Sequence, residues 1–93
     1  MMQAKDYFIN AINQIPPEID KQVSWSMEIS DHISDILKQR NMTQRQFARK
    51  MGRSEAEVSR WLAGRQNFTL ATLAKISTLL GEDLISTQNN HQN

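Results

Sequence analysis

The side chains best suited to chemistry in this sequence are six cations that lie close together between residues 43 and 65. They are Arg45, Arg49, Lys50, Arg53, Arg60 and Arg65. Only Glu55 and Glu57 oppose them, so this stretch has a formal charge of 6 − 2 = +4, against +1 for the whole chain of 93 residues. Guanidinium groups present several N–H donors in one plane, which suits phosphate oxygens and guanine edges. The cluster therefore predicts an anionic partner, and an ordinary solvated surface is the alternative.

Catalytic and metal-binding chemistry has little support in this sequence. The two histidines, His32 and His91, have no second ligand at metal-binding spacing, and the chain has no cysteine. The three glycines form no phosphate-cradling loop. Glu55 and Glu57 point to different sides of one helical turn, so they do not form an acid–base pair. We therefore expect no enzymatic activity, no cofactor and no metal site.

The first of two short helical patterns that position the cations begins at Thr43. Thr43 is a good N-cap residue, and Gln46 three residues later completes a capping box. The apolar residues that follow at helical spacing are Phe47, Ala48 and Met51. Gly52 is expected to end this helix, because glycine adopts the left-handed conformation without steric cost.

The second helical pattern begins at Ser54, which suits an N-cap and has Glu57 three residues on. Its apolar face comprises Val58, Trp61 and Leu62, and Gly64 closes it. We expect Trp61 to lie in the core rather than on the surface. Because only residues 52–54 separate the two patterns, the helices must cross at a steep angle. This geometry is that of a helix-turn-helix.

Additional helical patterns precede this pair. Residues 1–15 predict a short first helix, which the prolines at 16 and 17 must end. Pro17 suits the first position of the next helix, because its missing N–H has no intrahelical acceptor there. Residues 24–26 leave two possibilities open: this helix continues, or a new one begins near Met27. In either case the pattern runs to Arg40, and Asn41 suits the helix end.

A last helical pattern follows the pair, with Thr69 as its N-cap and Gly81 as its stop. Its apolar positions are Leu70, Leu73, Ile76, Leu79 and Leu80. Beyond it, Leu84 and Ile85 either fold back on the core or begin a dimer contact. The sequence thus predicts an all-α fold of five or six helices.

These motifs resemble the Cro/repressor (XRE) helix-turn-helix family. The resemblance is carried by Met42-Thr43-Gln44, Phe47-Ala48, Met51-Gly52-Arg53-Ser54, Val58-Ser59-Arg60-Trp61-Leu62-Ala63-Gly64, Thr69-Leu70, Thr72-Leu73-Ala74-Lys75-Ile76 and Leu79-Leu80-Gly81, and it covers about residues 29–85. It implies a lambda-repressor-like domain that binds a double-stranded DNA operator, and DNA-reading motifs of this kind characteristically bind paired half-sites as homodimers. Some members of this fold bind only proteins, so a protein-interaction module that has lost DNA binding is the alternative from a different class.

The resemblance also implies which residues read bases. The matching positions in the second helix are Glu55, Ala56, Ser59 and Arg60. Arg60 suits guanine O6 and N7, Glu55 suits the amino group of cytosine, and Ala56 suits the thymine methyl group. Many phage repressors carry glutamine at such positions, so the acidic Glu55 is a departure. For Glu55 and Glu57 a role limited to helix capping and the helix dipole is the alternative.

Phosphate contacts are expected at both ends of the helix pair. Gln44 matches a glutamine that binds phosphate in the family, at a helix start where backbone N–H groups also point outward. A helix-start residue without a ligand is the alternative for Gln44. The flanking residues expected to bind phosphates are Arg53, Arg65, Asn67 and Thr69.

We divide the chain into a helical extension at residues 1–27, a helix-turn-helix domain at 28–85 and a disordered tail at 86–93. The apolar residues of the extension either pack on the same core or form a dimer or partner surface. A compact domain with such an extension, including Ile15-Pro16-Pro17-Glu18-Ile19, resembles HigA-type antitoxins, which repress their own operon and bind a ribonuclease toxin. A stand-alone XRE-type repressor is the alternative. With no membrane-length apolar run and no signal peptide, we expect a cytoplasmic protein without membrane contact.

Overall fold

The computed structural model describes residues 15–64 and 66–87, and within these ranges the chain forms four α-helices and no strand. They are α1 (Pro17–Gln39), α2 (Gln44–Met51), α3 (Glu55–Leu62) and α4 (Leu70–Leu80). The all-α class is confirmed for the described residues. The count of five or six helices is not confirmed: residues 17–39 form one helix rather than two, and the remaining expected helix falls mostly on residues that the structure does not describe. The helix expected at residues 1–15 lies outside the described part of the chain, except for Ile15.

Helix α1 begins at Pro17 as expected, with Glu18 and Asp20 in its first turn. Of the two possibilities left open at residues 24–26, the structure adopts the continuous helix. The physical reason is an unbroken stripe of core-facing positions: Ser26 and Ser30 are buried on the same face as Ile33. The sequence between positions 18 and 39 contains no glycine or proline to interrupt the helix.

The predicted capping signals of α2 and α3 are confirmed. Thr43 Oγ1 accepts a hydrogen bond from the Gln46 N–H at 3.1 Å, and Gln46 Oε1 accepts one from the Thr43 N–H at 2.8 Å. Ser54 Oγ accepts from the Glu57 N–H at 3.1 Å. Gly52 ends α2 in the left-handed conformation, with φ of 70°. These local bonds define the ends of both helices and keep the turn between them short.

The core lies where α1, α2, α3 and α4 meet. Its buried members are Ile33, Ile36, Leu37, Phe47, Ala48, Met51, Val58, Trp61, Leu73, Ile76, Leu80 and Leu84. Trp61 is only 3% exposed, so its assignment to the core is confirmed. Leu84 folds back on the core, whereas the neighbouring Ile85 is exposed.

Two of the predicted core positions in α4 are wrong. Leu70 is 72% exposed and Leu79 is 37% exposed. The face of α4 that meets the core consists of Leu73, Ile76 and Leu80, at i, i+3 and i+7. Leu70 and Leu79 lie to the side of that face, and no described neighbour covers them fully.

The N-terminal half of α1 extends beyond the core. Its exposed apolar side chains are Ile19, Val23, Trp25 and Met27, and Ile15 before the helix is exposed as well. Of the two alternatives given for the extension, packing on the same core does not hold for these residues, while Tyr7, Phe8 and Ile12 lie outside the described residues. None of the described helices is sufficiently long and apolar to span a bilayer. The boundaries of the extension, the domain and the tail remain predictions.

The other end of α1 is tied to the residues after α4. His32 Nε2 lies 3.5 Å from Glu82 Oε1, and Arg40 Nη2 lies 3.3 Å from Glu82 Oε2. His32 is thus partly exposed on α1. Across residues 15–64 and 66–87, no group of three or more potential ligands could hold a metal ion.

Candidate nucleic-acid interface

Helix α3 separates its side chains into two arcs. The residues predicted to read bases, Glu55, Ala56, Ser59 and Arg60, are all exposed. At about 100° per residue, these four occupy one continuous arc of about 140°. Val58 and Trp61 are buried on the opposite arc. The structure therefore brings the four predicted residues together on one solvent-facing surface, which we call the α3 outer arc.

The buried side of α3 is held by α1 and by two aromatic rings. Ser30 Oγ, on α1, donates a hydrogen bond to the backbone carbonyl of Trp61. The Trp61 ring lies 6.2 Å from the Phe47 ring and 6.5 Å from the Phe68 ring, measured between centroids. The last carbonyls of a helix have no intrahelical donor, and Ser30 supplies a donor to one of them.

Sequence reasoning missed Ser30 as a support for the interface. The helical spacing could have identified it, because Ser26, Ser30 and Ile33 follow one another at i, i+4 and i+7 on the buried face of α1. A serine at a core position is expected to need a hydrogen-bond partner. That partner, the carbonyl of Trp61, is 31 residues away in sequence, so no local pattern identifies it.

The start of α2 presents a second polar surface. Gln44 is the first residue of the helix and is exposed. The capping box engages the N–H of Gln46, and the N–H of Phe47 bonds to the Thr43 carbonyl at 2.9 Å. The first N–H groups of a helix have no intrahelical acceptor, so those of Gln44 and Arg45 point out of the helix end. This arrangement can bind an anion through backbone and side chain together.

Both carboxylates of α3 are paired with arginines. Arg45 Nε lies 3.6 Å from Glu55 Oε2, which connects the first turn of α2 to the first turn of α3. Arg53 Nη1 lies 3.1 Å from Glu57 Oε2, one turn apart in sequence. These pairs reduce the negative charge that α3 would otherwise present to an anionic partner. Arg60 supplies the positive charge of the α3 outer arc.

The flanking residues predicted to contact phosphates differ in how they are placed. Asn67 is exposed in the loop between α3 and α4. Thr69 caps α4: its hydroxyl accepts from the Thr72 N–H at 3.1 Å and donates to Thr72 Oγ1 at 3.0 Å. A phosphate that accepted from the Thr69 hydroxyl would therefore replace an internal bond. Arg53 is half-exposed and bonded to Glu57, and Arg65 lies outside the described residues.

An apolar groove of about 600 Å³ lies beside the loop between α3 and α4. Its apolar walls include Trp25, Ile29, Phe68, Leu70 and Ile85. It lies between the N-terminal half of α1, the start of α4 and the residues that follow α4. Its lining includes Asn67 of the predicted phosphate contacts and none of the residues of the α3 outer arc.

Comparison with known protein families matches residues 33–85 to a family described as helix-turn-helix. The match covers more than half of the chain and includes the whole of α2, the turn and α3. Neither the curated proteins nor the solved structures contain a match to this sequence. The capped helices, the glycine turn and the exposed outer arc of α3 agree with the family match. The chain therefore belongs to the XRE (Cro/repressor) helix-turn-helix family of DNA-binding regulators.

Proposed function

We propose that this protein is a sequence-specific DNA-binding transcriptional repressor that places α3 in the major groove of its operator. The observation that carries the proposal is the exposure of Glu55, Ala56, Ser59 and Arg60 on one arc of α3, opposite the buried Val58. In helix-turn-helix proteins the N-terminal residues of the second helix contact base edges, and these four residues begin at the first position of α3.

Each member of the α3 outer arc has a chemistry that suits a base edge. Arg60 can donate two hydrogen bonds to guanine O6 and N7. Ala56 offers a methyl group to thymine, Ser59 can bond to several bases, and Glu55 can accept from the amino group of cytosine. Together they offer a donor, an acceptor and an apolar contact, which is the mixture that direct readout requires.

The start of α2, the turn that follows α2 and the loop after α3 supply the proposed phosphate contacts. Gln44 would bind one phosphate through its side chain and the outward-pointing N–H groups of the first turn. Arg53, Asn67 and Thr69 would bind phosphates beside the recognition helix, together with Arg65. These contacts set the register of α3 on the duplex but carry no sequence information.

We propose further that the protein binds its operator as a homodimer. Helix α3 has eight residues, so it spans about 12 Å and reads only a few base pairs. A site that short occurs too often in a genome to give useful specificity. Two copies of α3 on adjacent turns of the duplex double the number of base pairs that are read.

The biological role has two candidates with equal support. The comparisons identify the helix-turn-helix family and do not single out HigA-type antitoxins, so a stand-alone regulator fits as well as an antitoxin that binds a ribonuclease toxin. The exposed apolar residues Val23 and Trp25 on α1 suit a protein contact in either case. A reading frame for a small basic ribonuclease beside this gene would favour the antitoxin.

DNA binding itself is tested by selection from a random duplex library, followed by titration of the enriched sequence at several salt concentrations. We expect an enriched motif and a log K that falls by about 0.9 per neutralised phosphate for each decade of salt. Arg60→Glu should abolish binding, whereas the matched reversal Lys75→Glu, at an exposed position of α4, should leave it nearly unchanged. Failure to enrich any sequence, with no binding at low salt, would favour a protein-interaction module instead.

A further inference from the structure

The contact between Arg45 and Glu55 joins the two helices at the edge of the α3 outer arc. Arg45 Nε lies 3.6 Å from Glu55 Oε2, and the side chains are 74% and 60% exposed. An ion pair this exposed contributes little to the stability of a fold. It lies beside the proposed base-reading surface, so it is placed to act in recognition.

A carboxylate on a surface that enters the major groove can be selective, because the phosphates and most base-edge atoms there repel a negative acceptor. Phosphates are negative, and the N7 and O6 atoms of guanine and the O4 atom of thymine are acceptors. An ionised carboxylate is itself only an acceptor. Among base edges it gains a hydrogen bond only from an amino group, and cytosine N4 is the group that acidic side chains commonly bind.

Arg45 contacts one of the two oxygens of this carboxylate. It engages Oε2, so the second oxygen, Oε1, retains its lone pairs for a donor on the DNA. The positive guanidinium of Arg45 also reduces the repulsion between the Glu55 carboxylate and the DNA phosphates.

We infer that Glu55 selects one base pair by exclusion, accepting cytosine and rejecting bases that present only acceptors, and that Arg45 is the positioning residue that holds Glu55 for this role. The inference rests on the proposed DNA-binding function and names a specificity determinant within it. In this inference Arg45 contacts Glu55 in the complex with DNA and does not bind a phosphate.

Glu57 provides a matched control on the same helix. It is also a glutamate of the first turn of α3 and is also paired with an arginine, Arg53, at 3.1 Å. It differs in position: Glu57 is partly buried and lies outside the α3 outer arc. Glu55→Gln and Glu57→Gln each remove one negative charge from α3, so a general electrostatic effect must appear in both variants.

The experiment measures the affinities of wild type, Glu55→Gln and Glu57→Gln for the selected operator and for all its single-base variants. We expect Glu55→Gln to lose a preference of roughly 5- to 150-fold for cytosine at one base pair. Adenine should gain relative to cytosine there, because glutamine can bond to both its N6 donor and its N7 acceptor, whereas a carboxylate can bond only to N6. Glu57→Gln should keep the wild-type profile. An unchanged profile in Glu55→Gln, or the same change in both variants, would overturn the inference.

Two further variants test Arg45. Arg45→Gln should flatten the preference at the base pair that Glu55→Gln affects, and Arg45→Lys should restore it, because the pair is a single N–O contact that a lysine can replace. A uniform loss of affinity over all sequences in Arg45→Gln would instead make Arg45 a phosphate contact. If wild type binds no duplex at all, the proposed function fails; if wild type binds selectively while these variants keep its profile, only the present inference fails.

Discussion

The ring of Trp61 packs edge-on against the ring of Phe47, with centroids 6.2 Å apart and planes inclined by 69°. Phe47 belongs to α2 and Trp61 to α3, so this contact fixes one helix of the pair against the other. Edge-to-face packing is a favoured aromatic geometry and adds to the apolar area that the rings bury. The orientation of the exposed arc of α3 thus depends on two rings that are almost completely buried.

The first prediction concerns the stability of this aromatic contact. Trp61→Ala should lower the free energy of unfolding by about 3–5 kcal/mol, because it removes a large buried side chain. Trp25→Ala is the matched control: Trp25 is 60% exposed, and its change should cost less than about 1 kcal/mol. Urea denaturation of both variants measures the difference. If Trp61→Ala unfolds like wild type but loses DNA binding, the core assignment of Trp61 is wrong.

The second prediction concerns the bond from Ser30 to the carbonyl of Trp61. Ser30→Ala should destabilise the protein by about 1–3 kcal/mol, because it removes a buried hydrogen bond between α1 and α3. Ser24→Ala, at an exposed position of the same helix, should be neutral or slightly stabilising, since alanine has the higher helix propensity. Thermal unfolding of the two variants separates the stability lost with the Ser30 hydrogen bond from the stability gained through the helix propensity of alanine. Equal melting temperatures would show that the bond contributes nothing.

The third prediction separates base reading from positioning. Arg60→Ala should cost about 1–3 kcal/mol of binding free energy on the selected operator and relax the preference at one base pair. Gln44→Ala should weaken binding to all sequences about equally, because phosphates carry no sequence information. Neither change should alter thermal stability much, since both residues are exposed.

Titration of both variants against the operator and its single-base variants makes this comparison. A uniform loss for Arg60→Ala would make Arg60 a phosphate contact and leave base readout to Glu55, Ala56 and Ser59. A loss confined to one base pair for Gln44→Ala would place Gln44 among the base-reading residues instead.

The fourth prediction concerns stoichiometry. Two protomers should occupy each operator, and the protected half-sites should be centred about 34–36 Å apart, or a multiple of this distance. Sedimentation of the complex gives the number of protomers, and hydroxyl-radical footprinting gives the spacing. A single protomer on a fully selective site would rule out the proposed homodimer.

Much of the helix-turn-helix could be predicted because its signals are local. Thr43 with Gln46, Ser54 with Glu57, and Gly52 each act through backbone groups no more than five residues away. Such bonds form in whichever fold contains the segment, so residue type and spacing are enough to identify them. The same locality explains why the buried faces of α2 and α3 were predicted correctly from their spacing.

Tertiary structure decided the features that depend on distant neighbours. Leu70 continues an apolar helical pattern, yet it lies in solvent because no described element packs over that side of α4. Ser30 lies in the core because the carbonyl of Trp61, 31 residues away, accepts its hydrogen bond. Arg45 meets Glu55 only because the turn at residues 52–54 brings two helix starts together. Residue types and spacing determined the helices and their caps, and the resemblance to a known family supplied the residues of the α3 outer arc. Packing decided which side chains are buried and which charges are paired, since burial and pairing depend on where the other helices lie.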